Sequence, residues 1–313
     1  MQRENNKVII RGLKNYYCDA VMCSLKEFVN PEKYDLTQLT EDEIKTLCEF
    51  SVLKNKMAGV SELNLKVPFS GVGNEALDKY EMKGGEIVPA EEFNNLRTSS
   101  LVGERLTLEI SSIDEYNQNF LSDVSDFVGL TDCKVLIKLG QDLEEVGKVV
   151  NKFKMSPAET LESFGFLDRK CFVYGLNFID KDDQKLLKEY DTFCIFSPRD
   201  DGEEGRGAIN LYNFIYNELK FGFSSGECYN IDMLGEAKLA KLNTSNLMYQ
   251  NDLIDNEILL ESLQSEYGKN IIDLDDFERE DNIFDKKIRI ENKEYNGLRE
   301  KVKIIAQNLK EKE

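Results

Sequence analysis

The chain has 313 residues, of which 41% are hydrophobic and 32% charged, a formal net charge of −19 and no histidine. That length and apolar content suffice for a large core, either one α/β barrel or two ordinary domains, and the negative charge argues against nucleic acid or an anionic membrane surface as a partner. Without imidazole there is no Ser-His-Asp or Cys-His nucleophile, no HExxH zinc helix and no histidine-bound metal, so any chemistry falls to carboxylates, lysine, tyrosine or cysteine.

Taken in order, the first residues hold no apolar run of signal-peptide length, and no later segment approaches the roughly 20 apolar residues of a membrane span. A cytoplasmic protein is expected. Seven cysteines (18, 23, 48, 133, 171, 194 and 228) form an odd count without a CxxC pair, which reads as reduced, buried thiols in a reducing compartment. Thr40-Glu41-Asp42-Glu43 is a capping box opening a helix toward Met57. Short β-prone runs follow at 59–65, 105–110, 134–139, 171–176, 192–196 and 221–225, with helical patterns between them such as 142–153 and 180–190. Sustained βα alternation predicts a parallel sheet, and units of this length suit a barrel with insertions. Ser156-Pro157-Ala158-Glu159 marks another helix start, with Pro at the first helical position. Residues 71–101 are polar and weakly periodic, and read as an insertion with a hairpin or as a lid. The domain plan is therefore a barrel-like unit over 1–275 and a charged segment over 276–313. That segment ends in a helix whose Leu298, Val302, Ile305 and Leu309 share one face; such a stripe docks on its own domain more often than on a partner.

The stretch 134–236 carries motifs in a particular order. It reads Leu136-Ile137-Lys138-Leu139-Gly140-Gln141, then Ser156-Pro157-Ala158-Glu159-Thr160-Leu161 with Gly165-Phe166-Leu167, then Phe172-Val173-Tyr174-Gly175-Leu176-Asn177. Ser197-Pro198-Arg199-Asp200-Asp201, Gly205-Arg206-Gly207, Phe221-Gly222-Phe223-Ser224-Ser225-Gly226 and Asn230-Ile231-Asp232-Met233 follow. Upstream stand Ile9-Ile10-Arg11-Gly12-Leu13 and Ala58-Gly59-Val60-Ser61. This order resembles the amidohydrolase superfamily, in its chlorohydrolase, guanine deaminase and adenosylhomocysteine deaminase branch, from about Val8 to Ala240.

The resemblance implies a distorted or incomplete (β/α)8 TIM-type barrel of the metal-dependent hydrolase kind, here without the usual flanking β-sandwich. It also implies a metal-bound hydroxide attacking a C–N or C–halogen centre while a carboxylate shuttles protons. The positions it assigns to that chemistry are changed. Lys138 stands for the strand-four histidine, Gln141 for the acid/base glutamate, Tyr174 for the strand-five histidine and Gly226 for the metal-binding aspartate. The opening His-x-His falls near Gln2 and Glu4, and the first barrel strand looks missing, an open edge that hints at association.

An ammonium, an amide and a glycine make no metal site, so no metal, no cofactor and no catalytic residue is expected. Lys138, Gln141, Tyr174 and Arg199 remain as ligand-pocket candidates. Lys138 could form a Schiff base if desolvated, though replacement of a lost ligand is the plainer reading. Arg199 either holds a substrate carboxylate or closes a loop salt bridge with Asp200 and Asp201, the latter preferred. Asp232 and Glu236 read as ordinary surface patterning, and the GEEGRG run at 202–207 would repel a phosphate. The expectation is a catalytically degenerate, pseudoenzyme-like protein with a binding, scaffold or regulatory role. Its partners would be a protein, a second copy or a small molecule. The alternatives are a hydrolase acting on non-peptide C–N bonds, or a metal-independent barrel enzyme using Lys138 or Tyr174.

Overall fold

The computed structural model describes residues 2–4, 7–97, 102–273 and 280–312. Its centre is one curled, mostly parallel sheet. The strands are β1 (Gln2–Glu4), β2 (Lys7–Asp19), β3 (Val60–Lys66), β4 (Lys83–Pro89), β5 (Leu106–Ile110), β6 (Lys134–Leu139), β7 (Cys171–Gly175), β8 (Phe193–Phe196), β9 (Phe221–Phe223) and β10 (Gln264–Asp273). From β2 to β9 each strand pairs parallel with the next in chain order. The helices are α1 (Ala20–Leu25), α2 (Glu41–Met57), α3 (Val72–Lys79), α4 (Phe93–Leu96), α5 (Gln118–Leu130), α6 (Leu143–Phe153), α7 (Pro157–Ser163), α8 (Lys181–Glu189), α9 (Pro198–Glu203), α10 (Leu211–Tyr216), α11 (Met233–Met248), α12 (Asn256–Leu263) and α13 (Tyr295–Glu311). The capping box read at Thr40 forms, and the helix start read at Ser156 is a capping box as well.

The first parallel strand is present, which corrects the expectation that it is missing. β2 is thirteen residues long, and Ile9 to Leu13 lie inside it, with Val8, Ile10 and Leu13 buried. Its lower half pairs antiparallel with β1 and β10, and its upper half pairs parallel with β3. Gly12 makes this crowding feasible, since a Cβ there would lie 2.2 Å from the Tyr267 carbonyl oxygen. The open edge is also closed. Past β9, Gly226 N donates to Tyr17 O at 3.2 Å and Asp19 N to Gly226 O at 2.9 Å, a single bridge that joins the two ends of the curl.

Residues 71–97 correct a second expectation. They supply α3 and β4, a full unit of the sheet, and not a hairpin or a lid; residues 98–101 lie outside the described set. The strand escaped the sequence because Gly84, Gly85 and Pro89 are poor strand formers. It is held by pairing on both sides and by Glu86, which is buried and accepts from Gly71 N and Asn74 N at the start of α3.

Apolar side chains fill both faces of the sheet. Outside, the strands pack on the helical layer; inside the curl, Tyr17, Ile87, Leu136, Tyr174 and Ile195 form a separate cluster. The C-terminal stripe docks on its own chain, where Leu298, Val302, Ile305 and Leu309 are buried as α13 packs on α2 and α1. All seven cysteines are free and buried. Among the described residues, no helix is long and apolar enough to cross a membrane.

Candidate functional site

Parallel curled sheets present their chemistry at the C-terminal ends of the strands, where the βα loops converge. At that end Lys66 closes β3. Its ammonium lies 3.0 Å from Glu109 on β5 and 3.5 Å from Asp19 at the end of β2. Tyr174 of β7 donates to Glu109 at 2.9 Å and stacks on Tyr17 with ring centroids 5.2 Å apart. Burial works against the charge of Lys66, but Glu109 and Asp19 more than offset it and hold the amine well above its ordinary range. Burial, reinforced by Glu109, pushes the Tyr174 phenol far up. Burial also raises the Asp19 carboxyl, with Lys66 opposing. The centre is thus a fixed ammonium, two carboxyl groups and two neutral phenols.

Lys138 and Tyr174 face one another in register on β6 and β7. These are the fifth and sixth parallel strands, which corrects the fourth and fifth places given to them, because β4 lies between β3 and β5 where an insertion was expected. With β2 present, the end of the first strand is Tyr17-Cys18-Asp19, far along the chain from Gln2 and Glu4. Lys138 is half-buried and makes no hydrogen bond or ion pair among the described residues; its charge acts on Glu145, whose carboxyl accepts from Gly140 N and Gln141 N.

Gln141 joins a different group. Its Nε2 donates to Asp201 Oδ1 at 3.3 Å, and Asp201 also faces Arg206. Arg206 in turn pairs with Asp200 at 3.1 Å. Arg199 stands apart from both aspartates, correcting the bridge read from their adjacency. Its Nε donates to Glu236 Oε1 at 3.1 Å, its backbone N to Oε2 at 2.9 Å, and Asp232 lies 3.9 Å away. Adjacent residues on a short helix point in different directions, and α9 aims Arg199 at α11. Glu236 is therefore fully buried, not part of a surface face.

Gly226 has φ +56, and a Cβ there would come within 2.5 Å of Asp200 Oδ2. The Asp200 carboxyl occupies the space that a side chain at 226 would need. Lys66, Glu109 and Asp19 were not singled out from the sequence, and Asp200 only as a salt-bridge partner of Arg199. The available signal was a charged residue at the C-terminal end of an apolar strand, as in Asn64-Leu65-Lys66 and Leu108-Glu109.

The residues present do not fit a catalytic metal. Among the described residues, no group of three or more histidine, cysteine, aspartate or glutamate side chains is arranged to hold an ion. A lysine ammonium, which has no lone pair to donate, sits between the two carboxylates that face each other there.

The fold is that of the amidohydrolase and deaminase enzymes. An adenosine deaminase from Xanthomonas campestris, solved with bound zinc, superposes with a TM-score of 0.78 over 98% of this chain and 86% of its own, at 11% identity. An amidohydrolase from Brucella melitensis gives 0.69 over 96% and 90% at 12% identity, and the guanine deaminase of E. coli gives 0.64 over 78% and 66% at 13%. In sequence, a 5'-deoxyadenosine deaminase from Methanococcus vannielii is 22% identical over 175 residues, which are 54% of this chain and 40% of that protein. The matched part spans well under two thirds of that relative. No family model matches the chain.

Proposed function

We propose that this chain is a (β/α)8 barrel of the metal-dependent hydrolase kind, lacking a flanking β-sandwich, in which the metal chemistry has been lost and a binding, scaffold or regulatory role remains. The observation that carries this is the Lys66 ammonium held between Asp19 and Glu109, with Tyr174 on Glu109. A positive charge supplied by the chain itself stands at the strand ends, where the resemblance puts a metal. The apolar cluster below it fills the barrel's interior. Residues 1–275 form the barrel unit in this reading, and 276–313 a charged segment that folds back on it. The seven buried free thiols support a reducing compartment such as the cytoplasm.

Elemental analysis of purified protein, followed by thermal shift with zinc and iron salts, tests the proposal. The expected outcome is no stoichiometric metal and no stabilisation; one zinc or iron per chain, lost on chelation together with stability, overturns it.

A second reading, a hydrolase of non-peptide C–N bonds, is favoured by the deaminase named as a relative in sequence and by Asp200 standing in the space of a side chain at 226. Ammonia release from aminopurine nucleosides, abolished by Asp200→Asn, would establish it. A metal-independent enzyme using Lys138 would instead give a borohydride-trapped adduct at that residue with a carbonyl substrate.

A further inference from the structure

Three of the cations at the C-terminal mouth are each shared by two carboxylates. Lys66 serves Asp19 and Glu109. Lys26, which follows α1, serves Glu204 and Glu227 at 3.1 and 3.0 Å. Arg206 serves Asp200 and Asp201 at 3.1 and 3.8 Å. Lys138 adds a fourth cation, offset by Glu145 beside it. These groups are not scattered, because Glu109, Asp19, Glu227 and Asp200 all act on the Tyr17 phenol at the end of β2. Carboxylates therefore outnumber cations around one mouth, and a partly buried excess of negative charge draws a counter-charge.

Two buried acceptors there are without partners among the described residues. Asp200 Oδ1 has none, although its side chain is 7% exposed, and neither does Asn177 Oδ1 on the neighbouring loop after β7. Asn177 is tied to the same place, since its Nδ2 donates to the Arg206 carbonyl at 3.4 Å. Arg206 Nε, a donor unpartnered among the described residues, faces the Asp201 carboxylate. A buried acceptor without a donor costs about 1–3 kcal/mol, so Asp200 Oδ1 and Asn177 Oδ1 each call for an N–H group.

We propose that the mouth binds a small organic cation of the amidinium class, with Asp200 Oδ1 accepting one of its N–H groups. The proposal rests on the metal-free reading above, because a resident metal would satisfy the same carboxylates. The charged and titratable groups facing Asp200 are Asp201 on its own helix, Arg206 just beyond that helix, Lys26 beyond α1, Glu227 and Cys228 beyond β9, and Tyr17 on β2. Burial pushes the Asp200 carboxyl up to about 7; Arg206 and Lys26 oppose this, while Glu227 and Asp201 add to it. Only the ionised carboxylate attracts the cation. Affinity should thus rise about tenfold between pH 6 and pH 8, following the ionised fraction of a group that titrates at 7.

Calorimetric titration with acetamidine, charged throughout that range, and with its neutral isostere acetamide tests this. Expected are binding of acetamidine only, the tenfold gain from pH 6 to 8, proton release in buffers of different ionisation enthalpy, and at least tenfold weaker binding in Asp200→Asn. Should that variant fail to fold, the pH profile and proton release of the unaltered protein, with Asp201→Asn as a second variant, read the same site. Equal binding of acetamide, no pH dependence, an unaffected Asp200→Asn, no binding at all, or displacement of acetamidine by magnesium or manganese would each overturn the proposal. Metal in the purified protein defeats the metal-free reading; metal-free protein that ignores acetamidine defeats only the cation site.

Discussion

Glu236 has no exposed surface, and burial pushes its carboxyl up to about 8 against the pull of Arg199. Asp200 is raised to about 7. In the unfolded chain both titrate near their ordinary values of 4.5 and 3.8, so between those values and 8 the native state holds protons that the unfolded state has released. Stability from these two groups is then greatest below about pH 4 and falls as pH rises through 7 and 8. Urea midpoints measured from pH 5 to 8 should decline, and Glu236→Gln should flatten the upper part of that decline; a midpoint that rises over this range contradicts the assignment. Lys66 is the complementary case. Lys66→Met leaves Asp19 and Glu109 buried with no shared cation, a loss of about 3–5 kcal/mol at pH 7. Burial already raises the Asp19 carboxyl, so the loss should shrink as pH falls and Asp19 takes up its proton, and a denaturation series of this variant against the parent at pH 7 and pH 5 measures the difference. Neither site was legible from residue type alone, because a lysine or glutamate at a strand end looks the same in sequence whether it is solvated or locked in a pair.

At the level of elements, local pattern exposed what local chemistry decides. The capping box at Thr40 and the helix start at Ser156 were readable, as was the stripe of α13, since each depends on residues three or four apart. β4 was not, because its pairing depends on strands more than fifteen residues away. Gly84 sits at φ +114, and a Cβ there would lie 1.9 Å from the Leu63 carbonyl oxygen. Gly84→Ala should therefore force β4 away from β3 and cost about 2–3 kcal/mol, the upper end of ordinary single substitutions. Gly147, on the open face of α6 with nothing near its would-be Cβ, provides the contrast, and Gly147→Ala should stabilise by about 0.5–1 kcal/mol. Thermal melts of the two variants decide whether glycine in β4 is a steric requirement or only a weak strand former; equal effects would favour the latter. Left unread in the sequence, β4 also shifted the numbering of every strand that follows it by one.

For the whole molecule the decisive feature is the seam where β9 returns to β2. The regular ladder does not continue across it, and among the described residues the main chain there makes only the Cys18–Gly226 bridge. The side chain of Asn15 supplies what the ladder lacks. Its Nδ2 donates to Asn55 Oδ1 and to Ser225 Oγ, both at 2.8 Å, and its Oδ1 accepts from Ser225 N at 3.0 Å, all with no exposed surface on Asn15. One residue thus ties the first parallel strand, α2 and the segment beyond the last strand. Such closure depends on partners 40 and 210 residues distant, which is why the sequence suggested an open edge and an associating partner. Asn15→Ala leaves Ser225 N–H and Asn55 Oδ1 buried without partners, each costing about 1–3 kcal/mol. The sum, roughly 2–6 kcal/mol, exceeds what Ser225→Ala removes, since that change spares the backbone bond. Hydrogen exchange distinguishes a loosened seam from general destabilisation. In Asn15→Ala, amides 224–226 and the end of β2 should lose protection well before those of β5 and β6 on the opposite wall. Uniform loss of protection would mean that the sheet opens as one cooperative unit and that Asn15 contributes stability without holding the seam.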